Sequence, residues 1–195
     1  INLVCLPPEI DSKSQIFLPN KIEDLIDAIK RESPHVLLIT NPTYEGFVLD
    51  LKKLVQKIRN NFPDLVIFIE EAWGSHLPFS PKSPVSAMEA GADICVQSTH
   101  KQGGALQQAG MIHWKKGRID PDLLLDSYRR LTTSSPSYIL LASLDAAREM
   151  MERGGASKID HLLRVADMLR SGIATIPGMK IVDAEVLRKD HPSVF

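Results

Sequence analysis

The residues best suited to chemistry follow three short apolar runs, each at the point where the run gives way to polar residues. The segment 41–46 (NPTYEG) follows the first run, the acidic pair Glu70-Glu71 ends the second, and the segment 98–101 (STHK) follows the third. A lysine amine forms an imine with a carbonyl compound, and a nearby carboxylate favours the cationic form of its neighbour. These residue types predict covalent carbonyl chemistry at Lys101, assisted by an acid.

An acid at one strand end and a lysine just past a neighbouring one match the needs of a pyridoxal cofactor. Its aldehyde forms an imine with an amine, and its ring nitrogen needs an anionic partner. A carboxylate about 4 Å from the pyridinium, at an effective dielectric near 20, contributes roughly 4 kcal/mol, on the order of three pKa units. The protonated ring can then accept the electron pair left when an α-carboxylate departs as carbon dioxide. Glu70 and Lys101 are the candidate pair.

The elements that must position these residues alternate between strand and helix. Residues 35–40, 65–70 and 92–98 are nearly continuous in apolar residues, which is typical of strands buried on both faces. Helical apolar spacing over 50–60 and a capped segment over 83–90 predict crossover helices between them. We therefore expect an α/β fold with a mainly parallel sheet flanked by helices, and ligands bind beyond the carboxyl ends of such strands.

Downstream of the lysine the pattern changes. Residues 110–114 predict a further strand, antiparallel to the others. Helices then dominate, with Gly154-Gly155 predicted as the break between the last two. Their apolar spacing covers residues 120–131, 138–153 and 157–173.

Both ends of the chain are predicted to be incomplete. The chain does not begin with methionine, and residues 1–6 are typical of a strand already under way. A turn at Pro177-Gly178 followed by residues 179–182 predicts a new strand near the other end. We expect residues 1–175 to form part of the cofactor-binding large domain and residues 176–195 to begin a smaller, truncated C-terminal domain.

Composition narrows the function classes. The chain has 23 basic and 24 acidic residues and a net charge of −1, which gives no electrostatic basis for binding nucleic acid or an anionic membrane. No apolar run approaches the roughly 20 residues needed to cross a bilayer, and no secretory signal is found. Cys5 and Cys95 lie in apolar runs and are expected to be buried free thiols. We expect a cytoplasmic protein that acts on a small molecule.

Four segments resemble a known family. The segments TNPTYEG, EEAWGSH, AGADICVQSTHK and TSSPSYILLASLDAAR closely resemble the large domain of the bacterial ornithine/lysine/arginine decarboxylases. This family has the aminotransferase-type fold of pyridoxal-phosphate enzymes, and the resemblance is strong from His35 to Arg148. It implies pyridoxal 5'-phosphate as cofactor, decarboxylation of a basic amino acid to a diamine or agmatine, and a homodimer or larger homo-oligomer with shared active sites.

The resemblance implies a role for each residue around the lysine. Lys101 would form the Schiff base with the cofactor, and Ser98 and His100 would donate hydrogen bonds to its phosphate. The turn at residues 134–137 would approach the active site of a partner subunit.

The resemblance also assigns the second strand end. Glu70 stands where the family usually places aspartate as partner of the ring nitrogen, and the extra methylene moves the charge by on the order of 1 Å, which can cost ~100-fold in rate. Ala72 and Trp73 would line the ring pocket, and Thr43 would lie near the ring hydroxyl or the substrate. The family's main phosphate-binding loop lies before Ile1, so we expect these 195 residues alone to be inactive or barely active.

Other interpretations of the same residues stay open. Glu70-Glu71 could be a charged strand end, and Trp73 could be plain core packing. His76 and His100 with these acids match no compact metal motif, so no metal is predicted. Since fold and cofactor do not fix which bond breaks, an aminotransferase or aldolase-type lyase is an alternative. A non-catalytic scaffold or regulatory homologue is another.

Overall fold

A mixed four-stranded sheet forms the centre of the part of the chain that this computed structural model describes, residues 2–191. The strands are β1 (Glu9–Ile10), β2 (Phe17–Leu18), β3 (Val36–Thr40), β4 (Val66–Glu70), β5 (Ile94–Gln97) and β6 (Met111–Trp114). The sheet order is β3-β4-β5-β6, in which the first three strands run parallel and β6 is antiparallel to β5. β1 and β2 form a separate antiparallel pair. The predicted α/β fold and the antiparallel direction of β6 are confirmed.

The helices are α1 (Ile22–Glu32), α2 (Leu51–Asn61), α3 (Ala87–Ala90), α4 (Thr99–Gln102), α5 (Pro121–Leu131), α6 (Tyr138–Ala174) and α7 (Ala184–Asp190). Helices α1, α2 and α3 pack on one face of this sheet. Leu54 and Ile58 of α2 are fully buried with Ile67 and Ile69 of β4, and each such burial contributes roughly 1.5–3 kcal/mol. Within residues 2–191, none of the helices combines the length and the apolar character needed to cross a membrane.

The opposite face of the sheet is open. Side chains alternate along each strand, so Val36 and Leu38 of β3 point away from the helices and are 50% and 60% exposed. Phe68 lies beside Leu38 in the register and is half-buried, and Trp114 at the far edge is 45% exposed. The prediction that the strands are buried on both faces is therefore wrong for β3 and β4 in the described chain, because only one layer of helices packs on them.

The prediction of a strand over residues 1–6 is also wrong. Residues 2–8 form no strand, and Ile1 lies outside the described residues. Leu3 is 77% exposed and Cys5 is exposed as well, because the described part of the chain places no strand beside them. Cys95 is buried, as predicted, and both cysteines are free thiols.

Gly154 and Gly155 do not interrupt a helix, contrary to the prediction, because α6 runs unbroken for 37 residues. A Cβ at position 155 would lie 2.8 Å from Cβ of Phe79, which belongs to a short 3-10 turn, Leu77–Phe79. The glycine therefore permits close packing of α6 on that turn.

The C-terminal end of the described chain packs on its N-terminal end. Residues 179–182 form no strand, contrary to the prediction, and α7 follows them. Leu187 of α7 is buried against Leu18, and both ring nitrogens of His191 lie 3.0 Å from carboxylate oxygens, Nε2 from Asp11 and Nδ1 from Glu9. The domain boundary at residue 176 stays a prediction.

Candidate functional site

Lys101 lies on the short helix α4, directly beyond the tip of β5. Its side chain is exposed, and Nζ lies 4.7 Å from the centroid of the Trp73 ring. A cation over an exposed aromatic face gains roughly 0.5–1 kcal/mol. The structure thus brings together two of the predicted site residues from the ends of neighbouring strands.

Trp73 also contacts the turn that follows β3. The Tyr44 and Trp73 rings meet edge to face, with centroids 6.2 Å apart and planes at 83°. Tyr44 is 82% exposed. The sequence pattern predicted a role for Thr43 in this turn but none for Tyr44. An aromatic residue beside Thr43 in a strand-end turn was a usable signal. Segments from three strand ends therefore meet at one indole.

The two adjacent acids at the end of β4 point to opposite faces of the sheet. Glu70 aligns with Thr40 and Val96 on the open face, and its Oε1 accepts a hydrogen bond from the backbone N–H of Ala72 at 3.0 Å. Glu71 is fully buried on the helix-covered face. Glu70-Glu71 is therefore not simply a pair of solvent-exposed charges, because Glu71 is buried and only Glu70 is accessible from the open face.

The Glu71 carboxylate is surrounded by donors. Oε1 accepts a hydrogen bond from the backbone N–H of Ala87 at 2.7 Å. Oε2 accepts a hydrogen bond from Nε2 of Gln97 at 2.6 Å and lies 3.9 Å from Sγ of Cys95. Burial raises the pKa of the Glu71 carboxyl, although these hydrogen bonds oppose the shift. Burial, with the neighbouring Glu71 charge, also raises the pKa of the Cys95 thiol to about 12, so this thiol stays protonated.

The other predicted cofactor contacts lie around the same strand ends. Ser98 precedes α4 and His100 lies within it; both are half-buried, and the His100 N–H donates to the Ala109 carbonyl at 3.1 Å. Ala72 is buried. Oγ1 of Thr43 accepts the N–H of Phe47 at 3.2 Å, so this hydroxyl stabilises its own turn.

Asn41 begins the segment 41–46 and is a structural residue of the site, a role that the sequence pattern did not predict. It is fully buried, its N–H donates to the Glu70 carbonyl at 2.9 Å, and its Oδ1 accepts the N–H of Leu49 at 2.7 Å. Its position just after a strand was the available signal. Asn41 fixes the start of the turn that carries Thr43 and Tyr44 beside the tip of β4.

Two concave regions of the described chain lie away from Lys101 and Trp73. A cavity of about 300 Å3 on the covered side of the sheet is lined by Glu71, Gln97 and His113 and closed by α6, and neither Glu70 nor Lys101 lines it. A groove of about 520 Å3 lies between Phe79 and α6. Within residues 2–191 no cluster of three potential metal ligands is found. Lys101 is exposed, Trp73 is half-buried, and neither residue lines either of these two regions.

The sequence matches a family of known proteins over most of its length. The family model for the Orn/Lys/Arg decarboxylase major domain matches residues 6–192. An arginine decarboxylase of Bacillus cereus is 36% identical over 188 residues, which cover 96% of this chain and 40% of that protein. The constitutive lysine decarboxylase of Escherichia coli is 32% identical over 149 residues, covering 73% of this chain and 20% of that protein.

Solved structures agree with the sequence comparison. Lysine decarboxylase A from Pseudomonas aeruginosa superposes with a TM-score of 0.71 at 26% identity, covering 87% of this chain and 25% of that one. The chain thus spans about two fifths of the length of the arginine decarboxylase it matches and a quarter of this solved chain.

Proposed function

Since this chain belongs to the Orn/Lys/Arg decarboxylase family, we propose that it carries the lysine-bearing part of the active site of a pyridoxal 5'-phosphate-dependent decarboxylase. The substrate would be ornithine, lysine or arginine, and the products a diamine or agmatine and carbon dioxide. The names of the relatives, arginine and lysine decarboxylases, support a basic amino acid. Because the chain spans 40% of the arginine decarboxylase, the activity is proposed for the whole polypeptide.

The observation that carries this proposal is the meeting of Lys101 and Trp73. The Lys101 amine is exposed, lies 4.7 Å from the indole centroid, and sits beyond the strand next to the one that ends at Glu70. An accessible amine, a flat aromatic surface and an acid at adjacent strand tips are the donor set that a pyridoxal cofactor needs. The residues present therefore fit this cofactor.

Each residue has a distinct part in this proposal. When bound, the cofactor supplies an electron sink for the pair released as carbon dioxide leaves. Lys101 would hold the cofactor through Nζ, and the Glu70 carboxylate would hold a proton on the ring nitrogen by charge attraction. Ser98 and His100 would bind the phosphate, and Trp73 would limit access of water to Nζ.

The proposed subunit arrangement and location follow from the family. We propose that the protein is a cytoplasmic homodimer or larger homo-oligomer in which subunits share active sites. The exposure of Lys101 supports this view, since it leaves the amine accessible to contact from a partner subunit.

Carbon dioxide release tests the proposed reaction. The full-length polypeptide, reconstituted with pyridoxal 5'-phosphate, is expected to release carbon dioxide from at least one of the three basic amino acids. Lys101→Ala should abolish this release, whereas Lys115→Ala, at an exposed lysine beyond β6, should leave it unchanged. Transfer of the amino group without carbon dioxide release would contradict the decarboxylase assignment and favour an aminotransferase.

A further inference from the structure

Glu71 is the acid at the tip of β4 that the proposed chemistry does not use. It is fully buried, whereas Glu70 beside it is half-buried on the open face. A carboxylate is seldom buried without compensating donors, because removing it from water costs several kcal/mol. Both oxygens of Glu71 accept short hydrogen bonds, at 2.7 Å and 2.6 Å. The side chain is therefore built into the structure at a defined place.

The donors to Glu71 come from separate elements. The Ala87 N–H is the first of helix α3, and the Gln97 side chain belongs to the last residue of β5. Ser98, which follows Gln97, is the residue from which α4 and Lys101 start. A single carboxylate thus joins the tip that carries Glu70 to the tip that leads to Lys101.

The backbone after Glu71 folds tightly over its side chain. The backbone N–H of Gly74 donates to the Glu71 carbonyl at 2.9 Å, and a Cβ at position 74 would overlap Cγ of Glu71. Trp73, which contacts Lys101, lies within this turn. The place of the Glu71 side chain therefore determines the path of the turn that presents the indole.

The connection continues to the edge of the sheet. Oε1 of Gln97 lies 3.1 Å from Nε2 of His113 on β6, so the Gln97 amide is used on both sides, with its NH2 on Glu71 and its oxygen towards the imidazole. Burial lowers the pKa of His113, which favours the neutral ring that donates one N–H. This second contact orients the Gln97 amide with its NH2 group towards Glu71.

We propose that Glu71 is a positioning residue that sets the separation between the Glu70–Trp73 turn and the Lys101 helix. This role rests on the function proposed above, since it concerns the same cofactor site. Glu71 does not touch the cofactor. It acts through Gln97 and the turn at Gly74, which hold the tips of β4 and β5 in register.

The test compares Glu71→Gln and Glu71→Leu with the matched control Glu149→Gln in the full-length polypeptide. Glu149 is an exposed acid of α6 that pairs with Arg153 at 2.6 Å and takes no part in the hydrogen bonds around Glu71. Hydrogen exchange at residues 98–103, followed without cofactor, is expected to accelerate about tenfold or more in both Glu71 variants, the size expected for a lost hydrogen bond to a charged group. The control should change less than about twofold, because it keeps the bond between Glu71 and Gln97.

A second readout uses the bound cofactor. The absorbance of pyridoxal 5'-phosphate on the protein, titrated with pH, should shift its midpoint in the Glu71 variants and not in Glu149→Gln. Unchanged exchange and an unchanged midpoint in both Glu71 variants would overturn the positioning role. Should Glu71→Leu fail to fold, Glu71→Gln decides, because it keeps the size of the side chain.

The two proposals fail in different ways. If the unmodified protein does not bind the cofactor at Lys101, the decarboxylase proposal fails, and hydrogen exchange without cofactor still decides the role of Glu71. If the unmodified protein binds cofactor and releases carbon dioxide, but exchange at residues 98–103 and the absorbance midpoint are the same in all variants, only the role of Glu71 fails.

Discussion

At the residue scale, the sequence identified Lys101 and Trp73 but could not show that they touch. Strand ends and helix starts follow from local pattern, whereas the contact at 4.7 Å depends on the path of the turn after Glu70. The opposite directions of Glu70 and Glu71 were predictable in principle, because neighbouring strand residues alternate between faces. What the pattern could not supply was which of the two faces the helices cover.

Glu70→Asp tests the departure from the family pattern. Aspartate returns the usual length of the acid, so we expect the rate of carbon dioxide release to rise, by up to ~100-fold if the misplacement is about 1 Å. Glu70→Gln, which removes the charge at constant size, should lower the rate. Steady-state kinetics of the two variants provide the measurement, and a lower rate in Glu70→Asp would show that this site is adapted to glutamate.

We expect Glu71 to make the stability of the folded protein depend on pH. Burial raises the pKa of this carboxyl in the folded protein, which therefore binds the proton more tightly than the unfolded chain. The stability of the unmodified protein relative to Glu71→Gln is then highest below the ordinary glutamate pKa, about 4.3, and falls as pH rises through the folded-state pKa. Urea unfolding of both proteins at several pH values measures this difference. An advantage that grows with pH would contradict the raised pKa.

At the element scale, the strands and the crossover helix α2 follow from apolar pattern, whereas close contacts between elements do not. The pattern located β4 and β5 within two residues of their observed bounds. It placed a helix break at Gly154-Gly155, because glycine disfavours helix when packing is ignored. The structure keeps α6 intact, since Gly155 lets the helix approach Phe79. Such a contact between distant segments has no signal in local spacing.

The adjacent glycines of α6, Gly154 and Gly155, allow a matched comparison. Gly154→Ala has its nearest neighbour at 3.6 Å and should stabilise the protein by about 0.5–1 kcal/mol through better helix propensity. Gly155→Ala should destabilise it by about 1–3 kcal/mol, because the added Cβ would overlap Phe79. Thermal unfolding compares the two variants, and equal effects at both positions would show that α6 does not pack on the 3-10 turn.

At the scale of the whole molecule, the main feature is that one face of the sheet is uncovered in the described residues. Val36 and Leu38 are half or more exposed, and Lys101 is exposed beyond the tip of β5. The sequence predicted the α/β fold and a partial site, but continuous apolar strands gave no sign of which face would be left uncovered.

The isolated 195 residues are expected to release no measurable carbon dioxide, because they span only 40% of the arginine decarboxylase that they match. The full-length polypeptide under the same conditions is the comparison. Turnover by the fragment at a rate near that of the full-length polypeptide would show that one side of the site is sufficient.

The proposed function depends on covalent binding of the cofactor by the Lys101 amine. Borohydride reduction of the full-length polypeptide with pyridoxal 5'-phosphate, followed by proteolysis and mass mapping, measures this binding. We expect one stable pyridoxyl adduct, on the peptide that contains Lys101, and none in Lys101→Ala. An adduct confined to other lysines, or no adduct at all, would contradict it.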